Sequence, residues 1–258
     1  MIDMLEKLFI AIGIVLAVAA CTATPYYTPT PVSSIQAFSV LKEIQPCGSI
    51  YCWHKLPFQD LNIDIVTKII SQEAAFNNVT REEYTLYDDY VAYVWNSQKP
   101  SGEIDHFFQY IAHGKEPFLL TRIFSPVRIS DVISMFGEPS HILISEGGSA
   151  PSHGPWIHFV IFYEENGLMF SSDMVRFLEA DEIESYGISP EATIISYDLT
   201  SPKSVPELLR TQLFSEGQSS PERVNRFVQL WGPFIQKWRG YGDYRYMKEW
   251  EGLVPEYR

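Results

Sequence analysis

The chain has 258 residues, which suffices for one large domain or two small ones at about 150 residues per domain. With 46% hydrophobic and 20% charged residues, the composition is that of a globular protein and excludes a chain that is disordered throughout. The formal net charge of −13, from 32 acidic and 19 basic residues, argues against nucleic acid as a partner.

The N-terminus carries one uncharged apolar run, residues 8–20, directly before Cys21. The run is shorter than the ~20 residues of a membrane span and fits a secretory signal, although acidic residues outnumber Lys7 before it. The small residues preceding Cys21 resemble the end of a bacterial lipoprotein signal. That resemblance implies cleavage after residues 1–20 and acylation of Cys21, which would anchor the protein on the extracytoplasmic face of a bacterial membrane. An ordinary cleaved signal with a chance cysteine and an uncleaved short anchor are the alternatives.

Residues 21–44 are expected to form a lipid-anchored tether. The stretch 22–34, TATPYYTPTPVSS, contains three prolines, four threonines and no charge, which favours an extended backbone over a packed core. Such a tether would hold the folded body off the membrane by roughly 3 Å per residue.

Cys47 and Cys52, in the segment QPCGSIYCWH, form an even pair once Cys21 is lipidated. The oxidising compartment favours a disulfide between them, with Gly48 easing the turn. Free thiols and a metal or catalytic site are the alternatives, although beside His54 no fourth metal ligand is local. A disulfide closing so short a loop would act locally.

Residues 45–125 are predicted to be a first α+β module. The apolar stripe of Ile63, Val66 and Ile70 predicts a helix over 61–70. Enrichment in aromatic and β-branched residues predicts strands that follow it over 84–96, 103–112 and 118–124.

Residues 126–200 are predicted to be a second module of the same kind. Ser130 is the expected N-cap of a short helix that ends at Gly137. Strands are predicted over 141–145, 156–163, 168–172 and 193–199. The strand 156–163 is apolar on both faces and should be central, and Asn166-Gly167 favours a hairpin after it.

Residues 201–258 are predicted to be a helical C-terminal segment with an aromatic tail. One helix is expected over 204–214, and Ser220-Pro221 should open a second that Gly232 closes. The tail from Lys237 onward is rich in Trp and Tyr and is expected to wrap back onto the body.

The two module helices start alike, with Asp64-Ile65-Val66-Thr67 in the first and Asp131-Val132-Ile133-Ser134 in the second. Together with PCGSIYCW, RISDVISMFGEPS and the tail WRGYGDY, this layout resembles uncharacterised lipoproteins of bacteria such as the Chloroflexota. It is also similar to the modules of outer-membrane assembly lipoproteins (BamE-like) and of tandem-repeat β-lactamase inhibitor proteins. The resemblance implies an α+β fold of two related helix-then-antiparallel-strands modules, and an anchor. It supplies no catalytic residue.

A search for reactive motifs finds no HExxH, GxSxG, P-loop or GxGxxG. His153 and His158 lie five apart, so in a strand they would face opposite sides. The acidic run 179–184 lacks the donor order of a calcium loop and is expected to be a solvated face. We therefore predict no catalytic residue, no metal and no cofactor.

Aromatic residues make up 14% of the chain, and both core packing and recognition use them. The loop 146–155 and the tail are the best candidates for a contact surface. Its candidate residues are Ser149, Ser152, His153, Tyr241, Tyr244 and Tyr246. The sequence favours a membrane-anchored lipoprotein with a non-catalytic binding or envelope-assembly role. The alternative is a lipid-anchored envelope hydrolase whose catalytic residues assemble only in three dimensions.

Overall fold

The computed structural model contains helices and antiparallel sheets, so the predicted α+β class is confirmed. The helices that the structure describes in full are α1 (Ile63–Gln72), α2 (Ile129–Phe136), α3 (Val205–Ser215) and α4 (Pro221–Trp231). The residues that the structure describes are 41, 43–48, 50–72, 80–87, 90–98, 104–113, 118–147, 156–172, 175–176, 185–215 and 221–245.

The strands of the described residues fall into three sheets. In chain order they are β1 (Ile44–Cys47), β2 (Ile50–Trp53), β3 (Leu56–Pro57), β4 (Thr80–Tyr87), β5 (Tyr90–Gln98), β6 (Ile104–His113), β7 (Phe118–Arg128), β8 (His141–Gly147), β9 (Trp156–Tyr163), β10 (Leu168–Ser172), β11 (Val175–Arg176), β12 (Ser185–Ile188), β13 (Thr193–Leu199), β14 (Gln236–Lys237) and β15 (Gly242–Arg245).

The main sheet has ten antiparallel strands in the order β14-β8-β9-β10-β13-β7-β6-β5-β4, with β11 also on β9. Strands β4 to β7 follow α1 and lie side by side in chain order. Strands β8, β9, β10 and β13 follow α2 and do the same. The two runs meet where β13 pairs with β7, Tyr197 lying opposite Thr121. Two small sheets, β1-β2-β3 and β12-β15, complete the described strands.

Strand β9 packs on both of its faces, as its sequence predicts. Phe159 and Ile161 belong to one core, and the alternating residues Val160 and Phe162 belong to the other. Helices α1 and α2 and the small sheet β1-β2-β3 contribute to the first core, whereas α3 and α4 contribute to the second. We call these sides of the sheet the first and second faces.

One predicted strand is in fact two. The stretch predicted as a single strand over 84–96 forms β4 and β5, which pair antiparallel with Tyr87 opposite Tyr90. Asp88 and Asp89 separate them and lie outside the described residues. Because neither is glycine, the sequence carries no strong hairpin signal at this reversal.

The predicted cap of α2 is also wrong. The helix begins at Ile129, and no side chain caps it. Instead, the N–H groups of Ile129 and Ser130 donate to the carbonyl oxygens of Ala192 (2.7 Å) and Pro190 (3.2 Å). A distant loop thus satisfies the first donors of the helix. The predicted end is right, since Gly137 follows with a φ of +79°.

The Asn166-Gly167 hairpin signal is confirmed between β9 and β10. A short 3-10 turn, Glu164–Asn166, leads into Gly167, which has a φ of +63°. Gly167 also lies against the end of β13, because the N–H of Thr200 donates to its carbonyl at 2.8 Å. A Cβ at this position would collide with the carbonyl oxygen of Thr200 and lie 2.6 Å from that of Ser201.

The C-terminal helices and the returning tail follow the prediction. At the start of α3 the Glu207 carboxylate accepts the Ser204 hydroxyl at 2.7 Å and the Ser204 N–H at 3.2 Å, the second bond being one half of a capping box. After α4, a 3-10 turn leads into β14, which pairs with β8. Strand β15 then pairs with β12, so the described part of the tail lies on the body.

Candidate functional site

Cys47 and Cys52 form a disulfide across the β1-β2 hairpin, with their Cα atoms 5.7 Å apart. Gly48, at a φ of +77°, allows the tight turn between them. The disulfide therefore fixes one hairpin rather than joining distant parts of the chain.

The residues predicted as a contact surface have different outcomes. Tyr241 is 42% exposed and is one of two large exposed hydrophobic residues in the described part of the chain. Tyr244 is only 1% exposed, so its prediction as a surface residue is wrong. The predicted residues Ser149, Ser152, His153, Tyr246 and the lipidation site Cys21 lie outside the described residues.

The buried Tyr244 side chain makes several contacts within the loop between β14 and β15. Its hydroxyl accepts the Arg239 N–H at 2.7 Å and donates to the Gly240 carbonyl at 2.6 Å. The ring stacks on Trp238, with centroids 5.8 Å apart. These contacts hold the backbone around Tyr241, which lies in the same loop.

A second pair of contacts closes the base of this loop. The side-chain amide of Gln236 donates to the Arg245 carbonyl at 2.7 Å and accepts the Arg245 N–H at 3.3 Å. Gln236, at one end of the loop, thus binds both the carbonyl and the N–H of Arg245 at the other end. Tyr241 is consequently presented on a held loop.

Tyrosine hydroxyls lie at the carboxyl end of α2. Tyr163 donates to the Gly137 carbonyl at 2.8 Å, and Tyr51 donates to the Phe136 carbonyl at 3.5 Å. Burial, and then the nearby Tyr51, Tyr241 and Glu138, raise the pKa of Tyr163. Its hydroxyl therefore stays protonated and remains a donor to the end of the helix.

Backbone hydrogen bonds bring the Tyr241 loop and Glu191 to α2, the helix that contains Asp131 and ends just before Glu138. The Trp238 N–H donates to the Ser140 carbonyl at 3.1 Å, just beyond Glu138. The bonds from the start of α2 to Pro190 and Ala192 place Glu191 beside that end of the helix, near Asp131. We call Tyr241, Trp238, Asp131, Glu138 and Glu191 the Tyr241 patch.

The electrostatics of the patch are those of a negatively charged surface. Desolvation, followed by the charges of Asp131, Glu138 and Glu191, raises the pKa of Tyr241. Each of these carboxylates disfavours the tyrosinate anion. One basic residue is paired there, since Arg128 Nε lies 2.9 Å from Glu191 Oε2.

The half-buried His158 and the buried Asp198 of the second face do not come together. Asp198 lies opposite Met169, which lies opposite Phe162, four residues along β9 from His158. Two strand spacings and four residues of rise separate His158 from Asp198 by roughly 16 Å. Burial lowers the pKa of His158 to about 4, so the ring is neutral at pH 7.

Two other histidines face carboxylates. His54 Nε2 lies 4.0 Å from Glu43 Oε2, and His141 Nδ1 lies 3.8 Å from Glu164 Oε2. The same Glu43 oxygen accepts the Trp53 indole N–H at 3.3 Å and the Tyr197 hydroxyl at 3.0 Å. Glu43 therefore ties the N-terminal hairpin to the main sheet.

The described residues contain no cluster of three or more His, Cys, Asp or Glu side chains that could hold a metal ion. Within that same part of the chain, no helix has the length and apolarity of a membrane span. Comparisons with family models, with curated proteins and with solved structures find no match to this chain.

Proposed function

We propose that this protein is a membrane-anchored extracytoplasmic lipoprotein that acts by binding or in envelope assembly, without catalysis. The observation that carries the proposal is Cys21, which stands directly after the apolar run 8–20 and its small residues. The uncharged Pro/Thr-rich stretch 22–34 supports it, because it would extend between anchor and body.

The folded body supports a role by contact. Its loop between β14 and β15 is held by Gln236 and Tyr244 and exposes Tyr241. Tyrosine on a held loop supplies large contact area at a small entropic cost, which suits recognition. The disulfide between Cys47 and Cys52 agrees with an oxidising compartment.

We further propose that the body arose from two related modules. Helix α1 precedes β4 to β7, and helix α2 precedes β8, β9, β10 and β13, with the same antiparallel order in each run. The similar helix starts at Asp64 and Asp131 support this relation. An experimental structure tests it: residues 60–124 should superpose on 128–199 with one helix and at least two strands in the same order.

Lipidation is tested by changing Cys21→Ser. We expect an unprocessed precursor that lacks the acyl mass, because the thiol that would carry the acyl chain is gone. Thr22→Ser is the matched control and should be processed and retained as the wild type is. Normal cleavage and normal membrane retention of Cys21→Ser would contradict the proposal.

The second candidate is a lipid-anchored hydrolase, and the pairing of His54 with Glu43 is the observation that favours it. The test is hydrolysis of a panel of chromogenic ester, amide and glycoside substrates by the purified full chain. We expect no turnover above that of a heat-denatured sample. Turnover that His54→Ala abolishes, with His141→Ala as control, would replace the binding proposal.

A further inference from the structure

The Tyr241 patch contains carboxylates that lack a basic partner. Arg128 pairs with Glu191. Among the described residues, no Lys, Arg or His forms an ion pair with Asp131 or Glu138. Two negative charges beside the exposed Tyr241 ring are therefore left to solvent or to a ligand.

Asp131 points most directly to a ligand. The residue is only 8% exposed, and its Oδ2 atom is buried without a hydrogen-bond partner. A buried carboxylate oxygen without a partner is costly, and most such groups in proteins are paired. A cation bound at the Tyr241 patch would offset this uncompensated charge.

The aromatic residues of the patch favour an organic cation. Tyr241 is 42% exposed and packs edge-on against Trp238, with centroids 5.8 Å apart. The same loop already holds one cation on an aromatic ring, because the Arg239 guanidinium carbon lies 5.0 Å over the centre of Tyr244. Aromatic faces and carboxylates together attract ammonium and guanidinium groups.

We propose that the Tyr241 patch binds a lysine or arginine side chain of a protein partner. The cation would contact the exposed Tyr241 ring and the exposed Glu138 carboxylate, and its charge would stabilise the nearly buried Asp131 carboxylate. The formal net charge of −13 would speed the approach of a basic partner and align it with this surface. This inference rests on the proposed function, since it names the partner of a protein that acts by contact.

Binding of a fluorescently labelled hexa-arginine peptide tests the proposal. The probe is titrated with the purified full chain in detergent, and fluorescence anisotropy gives Kd. A hexa-citrulline peptide, which has nearly the same shape without the charge, is the control ligand. We expect the wild type to bind hexa-arginine at least tenfold more tightly than hexa-citrulline.

Three variants distinguish binding at the Tyr241 patch from general attraction of the peptide to a negatively charged protein. Tyr241→Ala and Glu138→Gln should each weaken hexa-arginine binding by roughly two- to fivefold, the effect of one cation–π or ion-pair contact. Glu83→Gln removes the same charge from an exposed position in β4, at the other edge of the main sheet, and should leave Kd unchanged. Circular dichroism confirms that the variants are folded.

Two results would overturn the inference. One is an equal loss for Glu83→Gln and Glu138→Gln, which would indicate non-specific attraction. The other is an unchanged Kd for Tyr241→Ala. Because the measurement needs no membrane, a failure here is separate from a failure of the Cys21 experiment. Mass spectrometry of the recovered peptide detects cleavage, which would count against action by contact.

Discussion

Gly167→Ala should strongly destabilise the fold. The φ of +63° costs a residue with a Cβ about 1–2 kcal/mol. The new Cβ would also collide with the Thr200 carbonyl and lie 2.6 Å from that of Ser201, and both are backbone atoms that cannot rotate away. Overpacking of this kind costs about 1–3 kcal/mol. We expect a total loss of about 3 kcal/mol in the free energy of unfolding.

Thermal unfolding followed by circular dichroism measures this loss. For a domain of this size, about 3 kcal/mol corresponds to a decrease in Tm of roughly 9 °C. Gly48→Ala is the matched control, because Gly48 has a φ of +77° but no atom within 4 Å of the position that a Cβ would take. The difference between the two variants isolates the steric contribution. Equal Tm values for the two variants would refute the close approach of Gly167 to the end of β13.

Three further predictions concern stability. The pKa of His158 is about 4 in the folded protein and about 6.5 in the unfolded chain, so unfolding takes up a proton between these pH values, and the free energy of unfolding should fall by up to about 3 kcal/mol on acidification from pH 6.5 to 4. Denaturant titrations of His158→Gln should show a weaker pH dependence, and a free energy of unfolding that varies with pH as in the wild type would contradict the prediction. Lys55→Gly should raise the free energy of unfolding by about 0.5–1 kcal/mol, since Lys55 has a φ of +68°, and a lower Tm would argue against this turn. Asp131→Asn should stabilise the free protein by about 1 kcal/mol while weakening hexa-arginine binding, and a loss of stability would instead assign Asp131 a structural role.

The candidate site was predictable only in part. The sequence singled out the tail tyrosines because Tyr is common at recognition surfaces, and Tyr241 is exposed as expected. It could not separate Tyr241 from Tyr244, because the burial of Tyr244 depends on Trp238 and on the pairing of β15 with β12. The contribution of Asp131 was hidden for a similar reason, since no local pattern relates α2 to the tail.

Sequence alone determined the features that depend on near neighbours in the chain. The apolar alternation of β9, the turn at Gly167 and the disulfide between Cys47 and Cys52 each follow from a few consecutive residues. Their energetics are local, because side-chain periodicity and backbone dihedral angles act within a turn or a strand.

Only the tertiary structure determined the features that depend on contacts between residues far apart in the chain. The start of α2 is capped by Pro190 and Ala192 rather than by Ser130, and β13 pairs with β7 to join the two strand runs. The Tyr241 patch likewise combines residues of α2, the loop before β13 and the tail. Such contacts join residues far apart in the chain, so no segment carries their signal on its own.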